Sequence, residues 1–151
     1  MLRHTIATLA YRAGKALRGA PDGFGEYRPA PGARSAGEIL SHMGDLCDWA
    51  LSIAQGQQRW SEAPPQPWNE NVQRFFDALA RLDAQVAAVP PAEQLALQLF
   101  QGPVADALQH TGQIAMLRRL AGAPITGENY FVAAIVEGRV TLEQAPPRKE
   151  F

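Results

Sequence analysis

Apolar residues recur every three to four positions along most of this 151-residue sequence, and clusters of proline interrupt the pattern. This spacing places apolar side chains on one face of an α-helix, and proline ends helices because it has no backbone N–H to donate. The first such segment covers about residues 2–17, and a loop rich in glycine and proline follows it over residues 19–34. Only residues 139–142 show some of the alternation of apolar and polar residues that a half-buried strand requires. The pattern therefore predicts an all-α protein.

The second helix has a clear start signal in the sequence. Ser35 is a good N-cap residue, and Glu38 follows three residues later, which together form the pattern of a capping box. An apolar stripe continues from there to Ile53. We expect this helix to end near Gly56, because glycine readily ends helices.

Prolines and glycines also separate the remaining segments. Pro103 is favoured at the first position of a helix, so we predict a helix boundary at Gly102-Pro103. Gly122 is the expected stop of the helix that follows, and arginines in its last turn suit the helix dipole. The polar tail after Leu142 carries further prolines. The remaining helices are expected at about residues 72–89, 93–100, 103–120 and 128–137.

Length and charge limit the class of protein. The chain is long enough to bury one core, and no linker divides it, so we expect a single domain over residues 1–151. The formal net charge is −1 with no basic stripe, which argues against nucleic-acid binding. No apolar run approaches the roughly 20 residues of a membrane span, so we expect no membrane association. A single cysteine, Cys47, allows no internal disulfide and suits a cytoplasmic location.

The N-terminal segment allows two interpretations. Residues 1–20 contain four basic residues and no acidic one, in the style of a mitochondrial transit peptide. The same residues carry apolar side chains at helical spacing. We favour a first bundle helix, because the other amphipathic helices need a partner.

Three residues are candidates for a metal site. Asp106 and His110 are four positions apart, so their side chains lie one turn apart on the same helix face. His42 lies on the apolar stripe of the second helix and is the natural third ligand. Two imidazoles and one carboxylate suit zinc, nickel, iron(II) or manganese, and three protein ligands leave a position open. Gln113, one turn beyond His110, is a candidate to orient a ligand or a bound water.

Each of these residues also has an ordinary interpretation. His42 alone is more often a core histidine that is hydrogen-bonded to a neighbour. Asp106 alone would stabilise the first turn of its helix through the helix dipole. The metal site is therefore predicted from the three residues together. A second metal at Asp45 and Asp48 is less favoured, because no paired Glu-x-x-His pattern accompanies them.

Two segments resemble a known superfamily. Residues 36–49, with Gly37-Glu38-Ile39-Leu40-Ser41-His42, resemble the second helix of the DinB/YfiT-like superfamily, and residues 102–127 resemble its fourth helix. The resemblance covers the chain from the first helix to about Glu128. It implies an up-down-down-up four-helix bundle, commonly a homodimer, with one divalent metal bound by three histidines. His42 matches the first ligand and His110 the last, whereas position 106 is Asp where the superfamily usually has His.

The resemblance also implies a class of chemistry. Characterised members are mostly thiol-dependent transferases and isomerases, so we expect a metal-dependent hydrolase or thiol-dependent transferase acting on a small molecule. A low-molecular-weight thiol is a possible partner, and no catalytic residue beyond the ligands is identified. The alternative is a non-enzymatic binding or structural dimer in which Asp106 marks a weakened or lost metal site. An iron(II) oxygenase-type centre is a weaker third reading of the same ligands.

Overall fold

The structure, a computed structural model, describes residues 1–151 and is helical, as the apolar periodicity predicts. A 3₁₀ turn at Phe24–Glu26 follows the first helix, and another lies at Tyr130–Val132. No strand is present, and a single isolated bridge joins Glu128 to Glu150. No helix is both long enough and apolar enough to cross a membrane. The helices are α1 (Leu2–Leu17), α2 (Ala36–Ala54), α3 (Trp68–Ala88), α4 (Glu93–Leu99) and α5 (Ala105–Leu120).

The four long helices form a closed bundle. α1 contacts α3 and α5, and α2 contacts the same two helices. Each fully buried leucine, isoleucine, phenylalanine or methionine contributes about 1.5–3 kcal/mol by leaving water, so this shared core is the main stabilising term. All four long helices supply core residues. The largest fully buried side chains are Ile6, Leu9, Leu40, Met43, Phe75, Leu79, Leu82, Leu99 and Ile114.

The start of α2 has the predicted capping box. The Ser35 hydroxyl accepts a hydrogen bond from the Glu38 backbone N–H at 3.2 Å, and the Glu38 carboxylate accepts one from the Ser35 N–H at 2.8 Å. The helix ends at Ala54, and Gly56 follows with a φ of +74°. Local hydrogen bonding therefore fixes both ends of the helix that carries His42.

The predicted helix boundary at Gly102-Pro103 is wrong. A π-helical segment at Phe100–Val104 joins α4 to α5 without a break, and Pro103 is buried within it. A π-helix bonds each N–H to a carbonyl five residues back, so its ladder is locally displaced from the α pattern. The missing N–H of proline is tolerated in such an irregular turn more readily than inside an α-helix.

The helix expected at residues 128–137 is absent, and only the turn at Tyr130–Val132 forms there. Glu128 is buried, where its carboxylate accepts hydrogen bonds from the Tyr11 hydroxyl at 2.6 Å and from Lys15 at 2.8 Å. Burial and the Glu128 carboxylate raise the pKa of Tyr11 to about 12. The chain then returns along the same surface, because the Phe151 N–H donates to the Gly127 carbonyl. Contacts with α1 therefore override the local helical pattern.

The end of α5 is joined to the end of α1. Gly122 has a φ of +76°, and its N–H bonds the Arg119 carbonyl as expected for a helix stop. Arg118 is buried, and its guanidinium donates hydrogen bonds to carbonyl oxygens at the end of α1 and just after α5. Its acceptors are the carbonyls of Ala16, Arg18, Gly19 and Ala123.

Candidate metal centre

Packing of α2 against α5 brings the three predicted ligands together. His42 lies near the second turn of α2, Asp106 in the first turn of α5 and His110 one turn later. Nε2 of His42 is 3.7 Å from one Asp106 carboxylate oxygen, and Nε2 of His110 is 3.5 Å from the other. One donor atom from each residue lies within 4.8 Å of the other two. Both imidazoles therefore present the same nitrogen to a single carboxylate.

These distances fit a metal ion held between the side chains. They are longer than the 2.7–3.2 Å of an ordinary N–H···O hydrogen bond, so neither imidazole is hydrogen-bonded to Asp106. Ligand atoms at 2.0–2.2 Å from a tetrahedral ion lie about 3.4 Å from one another. The two imidazole rings, with centroids 5.0 Å apart, meet almost perpendicularly at 84°. The donor set and its spacing are thus compatible with one divalent ion.

Gln113 contacts the opposite side of the His110 ring. Its side-chain oxygen lies 2.7 Å from Nδ1 of His110, whereas Nε2 faces Asp106. A hydrogen bond on one ring nitrogen fixes which nitrogen is free to bind a metal. Gln113 therefore contacts the ring nitrogen of His110 that faces away from Asp106.

The environment of His42 favours the neutral imidazole. Burial lowers the pKa of His42, and the charges of His110 and Arg34 lower it further, against smaller opposing effects of Asp106 and Asp45. Only the neutral ring has a lone pair for a metal. His42 is therefore in its ligating form at neutral pH.

Trp60 packs against His42, a contact that the sequence did not predict. Its ring contacts the His42 ring with centroids 5.7 Å apart, and the Trp49 ring with centroids 5.8 Å apart. Two hydrogen bonds anchor the loop that carries it: Arg59 N–H to the Ser52 hydroxyl, and Ala63 N–H to the Asp45 carboxylate. Neither hydrogen bond can be predicted from the spacing of residues along one helix, so the contact of Trp60 with His42 appears only in the folded structure.

Asp45 and Asp48 are outside the cluster. Asp45 accepts a hydrogen bond from Arg74 at 2.6 Å, and Asp48 accepts one from Arg74 at 2.9 Å and one from Arg81 at 2.7 Å. These ion pairs join α2 to α3. The acids neutralise arginines and do not converge with the histidines.

Two cavities border the candidate site, one at His42 and the other at Asp106. The first, which we call the His42 cavity, has a volume of about 500 Å³ and lies between His42, Arg34, Glu62 and Trp68. The second has a volume of about 370 Å³ and lies beside Asp106, against Trp49 and Gln109. The Asp106 side chain is 41% exposed, so the centre is accessible to a small molecule.

Comparison with protein-family models, with curated proteins and with solved structures finds no match to this chain.

Proposed function

We propose that this chain is a DinB-like metal-dependent protein in which His42, Asp106 and His110 hold one divalent ion. The observation that carries the proposal is the convergence of two Nε2 atoms on one carboxylate, with N–O distances of 3.5 and 3.7 Å. Zinc, nickel, iron(II) and manganese all accept this donor set. The carboxylate in place of a third imidazole favours harder ions than a three-histidine site does.

The chemistry proposed for this centre is hydrolysis or thiol-dependent transfer on a small molecule. A divalent ion held there lowers the pKa of a bound water or thiol and so supplies a nucleophile at neutral pH. Three protein ligands leave at least one position open for such a group. Gln113 holds the His110 ring, and Trp60 shields His42 from solvent on one side.

Metal content tests the ligand set. Protein purified without a chelator or metal-binding tag is expected to hold about one equivalent of a transition metal. His42→Ala and His110→Ala are expected to lose it. His4→Ala removes an exposed histidine of α1, far from the cluster in sequence, and is the matched control that keeps the metal. Full metal content in His110→Ala would contradict the proposal.

Cobalt substitution separates the two reaction classes. A low-molecular-weight thiol that binds the open position adds a sulfur-to-cobalt charge-transfer band to the spectrum, and this result supports a thiol-dependent transferase. A spectrum that responds to pH but not to thiol supports a hydrolase that uses bound water. Each assignment is then checked by turnover with activated esters or with thiol acceptors.

The outer face of α5 supports a second candidate, a homodimeric binding or structural protein with a weakened metal site. Met116 and Leu120 are one turn apart on that face and are 52% and 57% exposed. Apolar side chains exposed side by side are typical of an interface. Well-folded wild-type protein that binds no metal on titration, and is dimeric by light scattering, would favour this candidate.

A further inference from the structure

The His42 cavity contains one arginine that forms no ion pair. Arg34 lines this cavity together with His42, and it forms no hydrogen bond or ion pair with any acid. Arg34 is also exposed, so a ligand in the cavity can reach the guanidinium.

Three other charged residues of the cavity wall, Arg28, Glu38 and Asp45, are already in ion pairs. Arg28 donates to both carboxylate oxygens of Glu38, at 2.6 and 2.8 Å. Asp45 is paired with Arg74. Among the cations of the wall, therefore, Arg34 alone lacks a partner.

We propose that the His42 cavity binds the substrate of the metal centre. This substrate is a small polar molecule with a carboxylate group, and Arg34 binds that carboxylate. The inference rests on the proposed function, because it takes the metal to be at His42, Asp106 and His110. It goes further by naming the chemical class of the substrate and the residue that selects it.

A guanidinium suits a carboxylate because two parallel N–H donors match its two oxygens. The rest of the wall is polar or glycine, apart from Ala63, Pro65 and Trp68, so an apolar ligand finds little surface there. Glu26 and Glu62 also line the cavity and form no ion pair. They repel an anion at their own positions and so direct the carboxylate to Arg34.

Dicarboxylates of three lengths provide the probe, because the proposal requires one carboxylate at the open metal position and the other at Arg34. We would titrate malonate, succinate and glutarate into zinc-loaded protein by calorimetry, with acetate and succinamate as single-carboxylate references. At least one dicarboxylate is expected to bind roughly tenfold more tightly than either reference, as one charge-assisted contact implies. Tryptophan fluorescence gives an independent readout of binding, because Trp68 lines the His42 cavity and Trp60 contacts His42.

Arg34→Gln is expected to abolish that roughly tenfold preference while the zinc content stays unchanged. Arg59→Gln removes an exposed arginine that does not line the His42 cavity, and it is the matched control that keeps the preference. Glu62→Gln is expected to tighten dicarboxylate binding, because it removes a like charge.

The outcomes separate this inference from the proposed function. Zinc-loaded wild-type protein that shows no preference, or an unchanged preference in Arg34→Gln, overturns the substrate inference and leaves the metal site standing. Wild-type protein that binds no metal overturns both.

Discussion

The side-chain oxygen of Gln113 lies 2.7 Å from Nδ1 of His110, on the outer side of the metal-site candidate. An amide oxygen only accepts hydrogen bonds, so Nδ1 of His110 is the donor and carries the proton. The lone pair of the neutral ring is then on Nε2, 3.5 Å from Asp106. Gln113 therefore determines that Nε2 of His110 faces the metal position, although Gln113 itself does not contact that position.

Replacing Gln113 tests this orienting role. Gln113→Leu removes the acceptor, and we expect metal affinity to fall by roughly 10-fold or more, as for other partners of metal-bound histidines. Gln113→Glu keeps an acceptor in place and is expected to retain the affinity. Both are measured by competition with a chromophoric chelator. Equal affinities in Gln113→Leu and wild type would show that the ring is held by other contacts.

The lowered pKa of His42 predicts how stability depends on pH in chelator-treated protein. Between the folded pKa and the ordinary value of 6.5, the unfolded chain binds more protons at this residue than the folded chain. The free energy of unfolding is therefore expected to fall as the pH drops below about 6.5. His42→Gln should flatten this part of the profile, measured by urea unfolding at each pH. A slope as steep as that of wild type would mean that another group is responsible.

Glu38 affects stability in a different pH range. Hydrogen bonds from Arg28 and from the Ser35 N–H lower the pKa of Glu38 to about 2, from an ordinary value of 4.5. Its contribution is therefore complete above pH 4.5 and is lost as the pH falls towards 2. Ser35→Ala should reduce stability at neutral pH by about 1 kcal/mol through loss of the N-cap. It should leave unchanged the fall in the free energy of unfolding that His42 causes below about pH 6.5.

Arg118→Met tests the connection between the ends of α1 and α5. The substitution keeps an apolar stem but removes the donors to four carbonyl oxygens, three of them at the end of α1. Each buried acceptor left without a partner costs about 1–3 kcal/mol, and some will recover water, so we expect a loss of about 3 kcal/mol in urea unfolding. Arg119→Met, at the neighbouring exposed position, is expected to change stability by less than about 0.5 kcal/mol.

Two helical glycines are predicted to respond oppositely to alanine. A Cβ at Gly37 would lie 2.9 Å from the Gly25 carbonyl oxygen, so Gly37→Ala forces α2 away from the preceding turn, at an expected cost of about 1–3 kcal/mol. A Cβ at Gly112 meets nothing within 4 Å, so Gly112→Ala should stabilise α5 by up to about 1 kcal/mol. Thermal or urea unfolding of both variants measures the difference. Stabilisation by Gly37→Ala would show that the contact with Gly25 relaxes at little cost.

Local patterns in the sequence predicted most of the helices. The extent of α1, the capping box of Ser35 and the stop at Gly122 agree with the structure, because each depends on hydrogen bonds within one helical turn. The error at residues 128–137 arose where distant residues alter the local preference. Glu128, for example, is held by Tyr11, 117 residues away in sequence, rather than by a helix of its own.

The sequence by itself determined the helical class, the main helix ends and the pairing of Asp106 with His110, since side chains four residues apart share a helix face. Only the tertiary structure decided that His42 meets this pair and that Trp60 and Arg34 lie beside His42. It also decided that Arg118 reaches the carbonyl of Ala16, 102 residues earlier. The physical reason is that hydrogen bonds within one turn are encoded by spacing, whereas contacts between helices depend on which faces the whole chain buries together.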